Sequence, residues 1–262
     1  MGSATRESLS RSIAELDRLA SQVTSTTAQE LFSVEHVIGT SASLRAAFAN
    51  STVDNEATTR LISRLFGGLS QPSLELVTTV VTLTWSAHDD IVAALEELAV
   101  RAVVISGSEA DIISELFAFG TAADSNAELE LALRGKLTTP ADKVRLVERI
   151  LRGKVSAESI MILSNLVSFT RGRSLRVAIR DTANIVAAQR GCVIATVISA
   201  TELPNEQATR IRDELSEMYG AVTLNRVVDP HVLGGLRIEI GHNVIDGSVF
   251  SRLQDLRLQL VG

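Results

Sequence analysis

Aromatic side chains are scarce: 7 Phe, 1 Trp and 1 Tyr in 262 residues. A core for a chain of this length must then be packed from Leu, Val, Ile and Ala, which favours helices over an aromatic-rich β-sandwich. Proline is scarce as well, at 4 residues, too few for long loops or a disordered linker. The single Cys192 forbids an internal disulfide and lies in an apolar run, where a packed core thiol is the natural reading. Basic residues number 25 against 31 acidic ones, a net charge of −6. That balance argues against a general binder of nucleic acid or anionic membrane, either of which needs a cationic footprint, and leaves room only for a local basic patch.

No apolar run is long enough to span a bilayer. The runs 76–85, 160–169 and 192–199 are short and broken by polar residues, although the mean hydropathy is +0.22. Arg6, Glu7, Arg11, Glu15 and Asp17 interrupt the N-terminus, so no signal peptide is read there and a cytoplasmic protein is expected.

What is present, over residues 5–190, is helical spacing with helix punctuation. Ile13, Leu16, Leu19 and Val23 form one stripe. Thr27 and Glu30 have capping-box spacing ahead of Leu31, Phe32, Val34, Val37 and Ile38, and Gly39 is expected to close that helix. Leu44, Ala47 and Phe48 mark a short helix. Leu61, Ile62, Leu65 and Phe66 mark another ahead of Gly67-Gly68, and Ser70 opens one carrying Leu74, Val77, Val80 and Val81. Short amphipathic helices on short loops are the pattern of a bundle.

The series then recurs. Leu31-Phe32 matches Leu116-Phe117, Leu44 and Ala47 match Leu129 and Ala132, and Leu61, Leu65 and Gly68 match Leu146, Ile150 and Gly153, all at an offset of 85. With one inserted residue, Ser70, Leu74, Val77, Val80 and Val81 match Ser156, Ile160, Leu163, Leu166 and Val167. Apolar positions, glycine stops and serine caps held in register over that distance indicate an internal duplication. A long helix from about residue 87, with Ile91, Leu95, Leu98 and Ala102 inward, opens the second copy. The second copy's caps are predicted at Ser125 with Glu128 and at Thr139-Pro140 with Asp142.

After Gly191 the period changes. The β-branched run 192–199 reads as a strand, and a helix over 204–219 places Ala208, Ile211, Leu215 and Met218 inward. Val222, Leu224, Arg226 and Val228 alternate, Asp229-Pro230 turns the chain, and Leu236, Ile238 and Ile240 alternate up to Gly241. A last helix carries Val249, Leu253, Leu256 and Leu260. The predicted architecture is mainly α: two tandem helical bundles, residues 1–85 and 86–190, followed by a small C-terminal α/β (β-α-β-β-α) module, residues 191–262.

No chemistry-bearing constellation accompanies it. Gly234-Gly235 follows a turn and precedes a strand, whereas a phosphate loop feeds a helix N-terminus beside Lys and Ser or Thr. His36, His88, His231 and His242 lack metal-ligand spacing. Asp246-Gly247-Ser248 precedes an apolar-periodic helix and reads as a turn with a cap rather than an acid and a nucleophile. Catalytic, metal and cofactor sites are therefore all expected to be absent. Arg173, Arg176 and Arg180, with Arg171 just before, form the one marked positive cluster; it is either a solvated face or a dock for an acidic partner segment.

The stretch from Leu224 to Gly241, with Asp229, Gly234, Gly235 and Gly241, followed by Asp246, Gly247, Ser248 and then Arg252-Leu253, resembles the C-terminal signature of the ATP synthase delta subunit family. Its mitochondrial relative is the oligomycin-sensitivity-conferring protein. From about residue 86 onward the chain is similar to an ordinary family member, and the first 85 residues add a further copy of the bundle. In this it resembles extended actinobacterial delta subunits, some of which are fused to a b-type stator subunit. The resemblance implies a non-catalytic peripheral-stalk link of an F-type proton-translocating ATP synthase, without cofactor or nucleic-acid partner, held peripherally at the cytoplasmic face of the cell membrane through the complex. It further implies that N-terminal helices of the alpha subunits dock between residues 87–106 and 156–170 and that the C-terminal module joins the b-type stalk subunit; on that groove Ala94 is expected to face outward. The alternative is a free-standing helical adaptor for amphipathic helices, and a small-molecule enzyme is disfavoured for want of any converging acid, base, nucleophile or metal set.

Overall fold

The computed structural model describes residues 2–49, 55–107, 109–135, 138–232, 235–241 and 243–246. By packing, the chain divides into two units, residues 1–186 and 187–262. Among the described residues no helix is long and apolar enough to cross a membrane.

The first unit is helical. Its first series comprises α1 (Ser3–Arg18), α2 (Ser25–Thr40), α3 (Ala42–Ala49), α4 (Asn55–Phe66) and α5 (Gln71–Thr82). The second comprises α6 (His88–Ser106), α7 (Ile112–Ser125), α8 (Ala127–Arg134), α9 (Pro140–Leu151) and α10 (Ala157–Ser168), followed by α11 (Leu175–Gln189). Helix lengths recur between the two series: α3 and α8 each span 8 residues, α4 and α9 each 12, and α5 and α10 each 12.

A paired side-chain clamp repeats with them. Ser70 opens α5, and its N–H donates to both carboxylate oxygens of Glu30 on α2, at 3.0 and 3.1 Å, while its hydroxyl donates to Oε2 at 2.5 Å. Ser156 opens α10 and makes the same three bonds to Glu115 on α7, at 3.1, 3.1 and 2.5 Å. A carboxylate at a helix N-terminus satisfies donors that have no intrahelical partner and sits favourably in the helix dipole. Glu30 is therefore not the partner of Thr27 in a capping box: α2 starts earlier, and its box is Thr24 with Thr27. Three further sequence expectations shift for local reasons. The cap of α8 is Asn126, whose side chain accepts from Glu128 and Leu129 N–H, because α7 runs on through Ser125. Gly39 does not end α2, which continues to Thr40; a Cβ there would meet the Phe169 ring at 2.4 Å, so the glycine is a point of close approach. The inner face of α1 carries Thr5, Ser8 and Ser12 ahead of Leu16, with Ile13 only half-buried. Thr139 caps α9 as expected, accepting from Asp142 N–H at 3.2 Å.

Helix α6 is the axis of the unit. Ile91, Val92, Ala94, Leu95, Leu98, Ala99, Val100, Ala102 and Val103 are all buried, and α1, α2, α3, α5 and α10 pack around it. Apolar residues on every side require cover on every side. At about 1.5–3 kcal/mol for each buried Val, Leu or Ile side chain, this helix contributes more than any single polar contact in the unit.

The second unit is an α/β layer pair. Strands β1 (Val193–Ser199), β2 (Val222–Val228), β3 (Leu236–Ile240) and β4 (Asn243–Asp246) form a sheet of order β2-β1-β3-β4, with β1 parallel to β2 and antiparallel to β3, and β3 antiparallel to β4. Helix α12 (Asn205–Tyr219) is the crossover between the parallel strands. Its Ile211, Leu215 and Tyr219 pack on Val193, Ala195, Val222, Leu224, Ile238 and Ile240. Met218 points outward instead, because the stripe closes on Tyr219. The sequence reading did not anticipate β4, a strand of 4 residues whose hairpin places Asp246 in the sheet opposite Arg237 rather than at a helix cap. The closing helix expected over Val249, Leu253, Leu256 and Leu260 lies outside the described residues.

Removing the clamp carboxylate leaves the Ser70 or Ser156 donors without a charged acceptor, so Glu30→Ala and Glu115→Ala are each expected to lower the unfolding free energy by about 1–3 kcal/mol in urea titrations. Burial pushes the Glu30 carboxyl up, but hydrogen bonds from Ser70 and Ser73 outweigh it and hold the group below its ordinary 4.5. Its contribution is accordingly complete above that value and fades as pH falls through the lower folded one.

Candidate functional site

The residues singled out in the C-terminal signature shape the ends of the sheet. The Asp229 N–H donates to the Ser199 carbonyl at 2.8 Å, and its carboxylate accepts the His231 N–H at 2.9 Å, which turns the chain as β2 ends. Gly235 enters β3 at φ 79 and Gly241 leaves it at φ 56, both in the left-handed region that favours glycine. Strand register puts Asp229, Gly235 and Asp246 at one end of the sheet and Gly241 at the other. Gly234, Gly247, Ser248, Arg252 and Leu253 lie outside the described residues, as does His242. Met218, Val228 and Val244 are apolar and exposed in this unit. Among its described residues no acid, base and nucleophile stand in mutual reach; what these residues offer is shape and apolar surface.

In the helical unit the expected basic cluster is paired internally. Arg171 and Arg173 both reach Glu96 on α6, the Arg173 bonds measuring 2.7 and 2.9 Å, and Arg173 also approaches Asp181 at 3.5 Å. Arg176 pairs with Asp124 at 2.8 Å and Arg180 with Asp181 at 3.6 Å. Of the two readings left open by the sequence, neither survives for Arg171 and Arg173: they neutralise a carboxylate of which only 2% is exposed. The turn that aims them passes through Arg171 at φ 52 and Gly172 at φ 76. A left-handed non-glycine residue costs about 1–2 kcal/mol, and pairing of a charge that would otherwise be buried alone outweighs it.

Beside that pair lies Glu35 of α2, wholly buried. Its Oε2 accepts from the Asn165 side-chain amide on α10 at 2.9 Å, and its Oε1 has no partner. Burial pushes the Glu35 carboxyl up to about 8; the Glu96 charge adds to the rise, and the Asn165 bond and the two arginines oppose it. One residue on, His36 meets Phe169 edge to face at a centroid distance of 5.3 Å. Helix α2 thus runs along α6 and reaches the C-terminal end of α10, filling the space in which the sequence reading placed a partner helix. Ala94, expected to face outward, is only 2% exposed. The reason is the additional helical series itself, which supplies cover that α6 would otherwise lack. Sequence reasoning missed Glu35 and Glu96, although the lone Glu35 in the apolar stretch 31–38 and the Glu96-Glu97 pair in the apolar stretch 91–103 were visible signals.

Among the described residues no group of three or more His, Cys, Asp and Glu converges as a metal site. The Cys192 thiol is half-buried, 3.7 Å from the Thr223 hydroxyl.

An Asp in place of Ala94 would carry an unpaired charge into this interior. Ala94→Asp is expected to destabilise the helical unit by about 2 kcal/mol or more in urea titrations, so any loss of partner binding would follow loss of folding.

The model of the family described as ATP synthase delta (OSCP) subunit matches residues 93–260, from within α6 through the α/β unit. ATP synthase subunit delta of Leifsonia xyli subsp. xyli is 49% identical, with 100% of each chain covered. The protein of the same name from Streptomyces avermitilis is 34% identical, over 98% of this chain and 97% of its own. A chain in the cryo-EM structure of the Toxoplasma gondii mitochondrial ATP synthase hexamer aligns with 64% of this chain and 96% of its own at 16% identity and a TM-score of 0.42. Both full-length matches include the first helical series, which lies ahead of the family match. By the family match and the two full-length relatives, the chain belongs to the ATP synthase delta (OSCP) subunit family.

Proposed function

We propose that this chain is the link between the catalytic head and the b-type membrane stalk of an F-type proton-translocating ATP synthase, and that it is itself without catalytic activity. As a delta-family subunit it is a peripheral-stalk component. The observation that carries the rest is the extent of the family match, which spans both the second helical series and the α/β unit. A link needs two separate surfaces, and the chain has two separately packed units.

In this reading N-terminal helices of the alpha subunits dock on the helical unit, away from the α6–α10 surface that α2 covers. The α/β unit receives the end of the stalk subunit, where exposed Met218, Val228 and Val244 suit burial by a partner. We treat residues 1–85 and 86–190 as two copies of one bundle and 191–262 as the stalk-binding module, with the chain held at the cytoplasmic face of the membrane through the complex. The physical task is static. A rotor turning inside the head drags the head with it unless something anchors it, and an anchor works through large contact area and slow release rather than chemistry.

Gly235→Val tests the division of labour. A β-branched residue at φ 79 is strained by about 1–3 kcal/mol, and a unit this small has little core with which to absorb it. The variant is expected to lose stalk binding and keep binding to the catalytic head, with its helical circular dichroism retained. Parallel loss of both bindings by a protein still helical would contradict the assignment. A native pull-down with identification of the bound chains separates this reading from a free-standing adaptor, which would not bring down head and stalk subunits.

A further inference from the structure

The join between the two helical series contains a buried carboxyl that the link function does not use. Glu35 on α2 is wholly buried, has one neutral donor in Asn165 of α10, and leaves Oε1 unpartnered. Two guanidiniums lie close by, yet both are directed at the neighbouring Glu96 of α6. The charged groups acting on Glu35 are Glu96 from α6 and Arg171 and Arg173 from the turn after α10; Asp181 from α11 shares Arg173, and Arg45 from α3 is engaged with the Gly39 carbonyl and Asp89. From α2 itself comes His36, engaged with Phe169. The one ionisable side chain of α5, Glu75, points away to Arg18. A carboxylate at Glu35 would face a like charge whose counter-ions are already engaged, with a lone pair buried and unsatisfied. A carboxylic acid there escapes the like-charge repulsion and leaves a neutral group unpaired, a smaller cost than an unpaired buried charge.

The group is also foreign to the repeat. The equivalent position in the second series is Gly120, which lies against Ile179. Glu35 thus belongs to the contact between the series rather than to the bundle pattern they share.

We propose that Glu35 is a proton-operated latch: it is neutral while α2 is docked on α6 and α10, and its O–H bond breaks to leave a carboxylate and a proton in water when α2 lifts away. The join between the two helical series therefore loosens as the surroundings become less acidic. The sign follows from linkage. The docked carboxyl titrates at about 8 and the released one near the ordinary 4.5, so undocking releases one proton between those values. Over that window the undocking equilibrium constant rises about tenfold per pH unit, and above it the dependence levels off because neither state holds the proton. Docking by this carboxyl is strongest at the acid end of the window, the opposite of an ordinary surface-paired glutamate.

Amide hydrogen exchange of α2 in the full chain, followed from about pH 5 to about pH 9 and corrected for the intrinsic exchange rate, tests this. The wild type is expected to show excess opening of about tenfold per pH unit that flattens above about pH 8, whereas Glu35→Gln, which mimics the neutral acid at every pH, shows none. The same slope in both proteins, or α2 protection without any excess pH dependence in the wild type, overturns the proposal. A carbon-13 titration of the Glu35 carboxyl in the wild type gives a reading that needs no variant. A midpoint near 8 supports the latch, and one near 4.5 contradicts it.

Discussion

Everything in the helical unit depends on burying α6 from all directions. Its sequence from Ile91 to Val103 offers apolar side chains around the full circumference, and a helix of that kind is stable only when neighbours surround it. A single bundle covers one side of such a helix well. Here α1, α2, α3 and α5 of the first series and α10 of the second all pack against it. The two helical series consequently share a core, with α6 taking neighbours from both. The polar features at the join follow from the same demand. Glu96 on α6 must be neutralised once α6 is buried, and the left-handed turn at Arg171 and Gly172 delivers the two guanidiniums that do so.

Periodicity and punctuation were enough to read a mainly helical chain with a small α/β module after Gly191, because each helix has a stripe and each strand an alternation. The clamp between Glu30 and Ser70 shows where such reading ends. Glu30 stands three residues after Thr27, the spacing of a local capping box, and local spacing alone does not reveal that its carboxylate reaches a serine forty residues on. Gly39 failed in the same way: a glycine near a helix end signals a C-cap, and only the Phe169 ring lying against it explains why the helix passes through. Met218 and Tyr219 compete for one helical stripe, and it is Tyr219 that packs on the sheet while Met218 is exposed. Each miss is a long-range contact that displaced a local preference.

The candidate site was legible in a different measure. The turn at Asp229 and the glycine requirement at Gly235 and Gly241 are local properties, visible as an Asp-Pro dipeptide and glycines between alternating strands. That α2 packs along α6 and meets α10 through Glu35 and Asn165 was not legible, because neither side chain signals a long-range partner. Within the basic cluster, Arg171 and Arg173 likewise became an ion-pair set on the buried Glu96, while Arg176 and Arg180 stay exposed. In both cases the decisive residue was a buried Glu inside an apolar run, a pattern whose cost in free energy implies a partner without naming it.

The central claim is that the chain spans two partners, the head through its helical unit and the stalk through its α/β unit. Cross-linking mass spectrometry on the assembled membrane-bound synthase tests it most directly. The account predicts links from the first unit, residues 1–186, to the N-terminal regions of the alpha subunits, and from the second, residues 187–262, to the end of the b-type subunit. Links joining the α/β unit to the alpha subunits and the helical unit to the stalk end would contradict it.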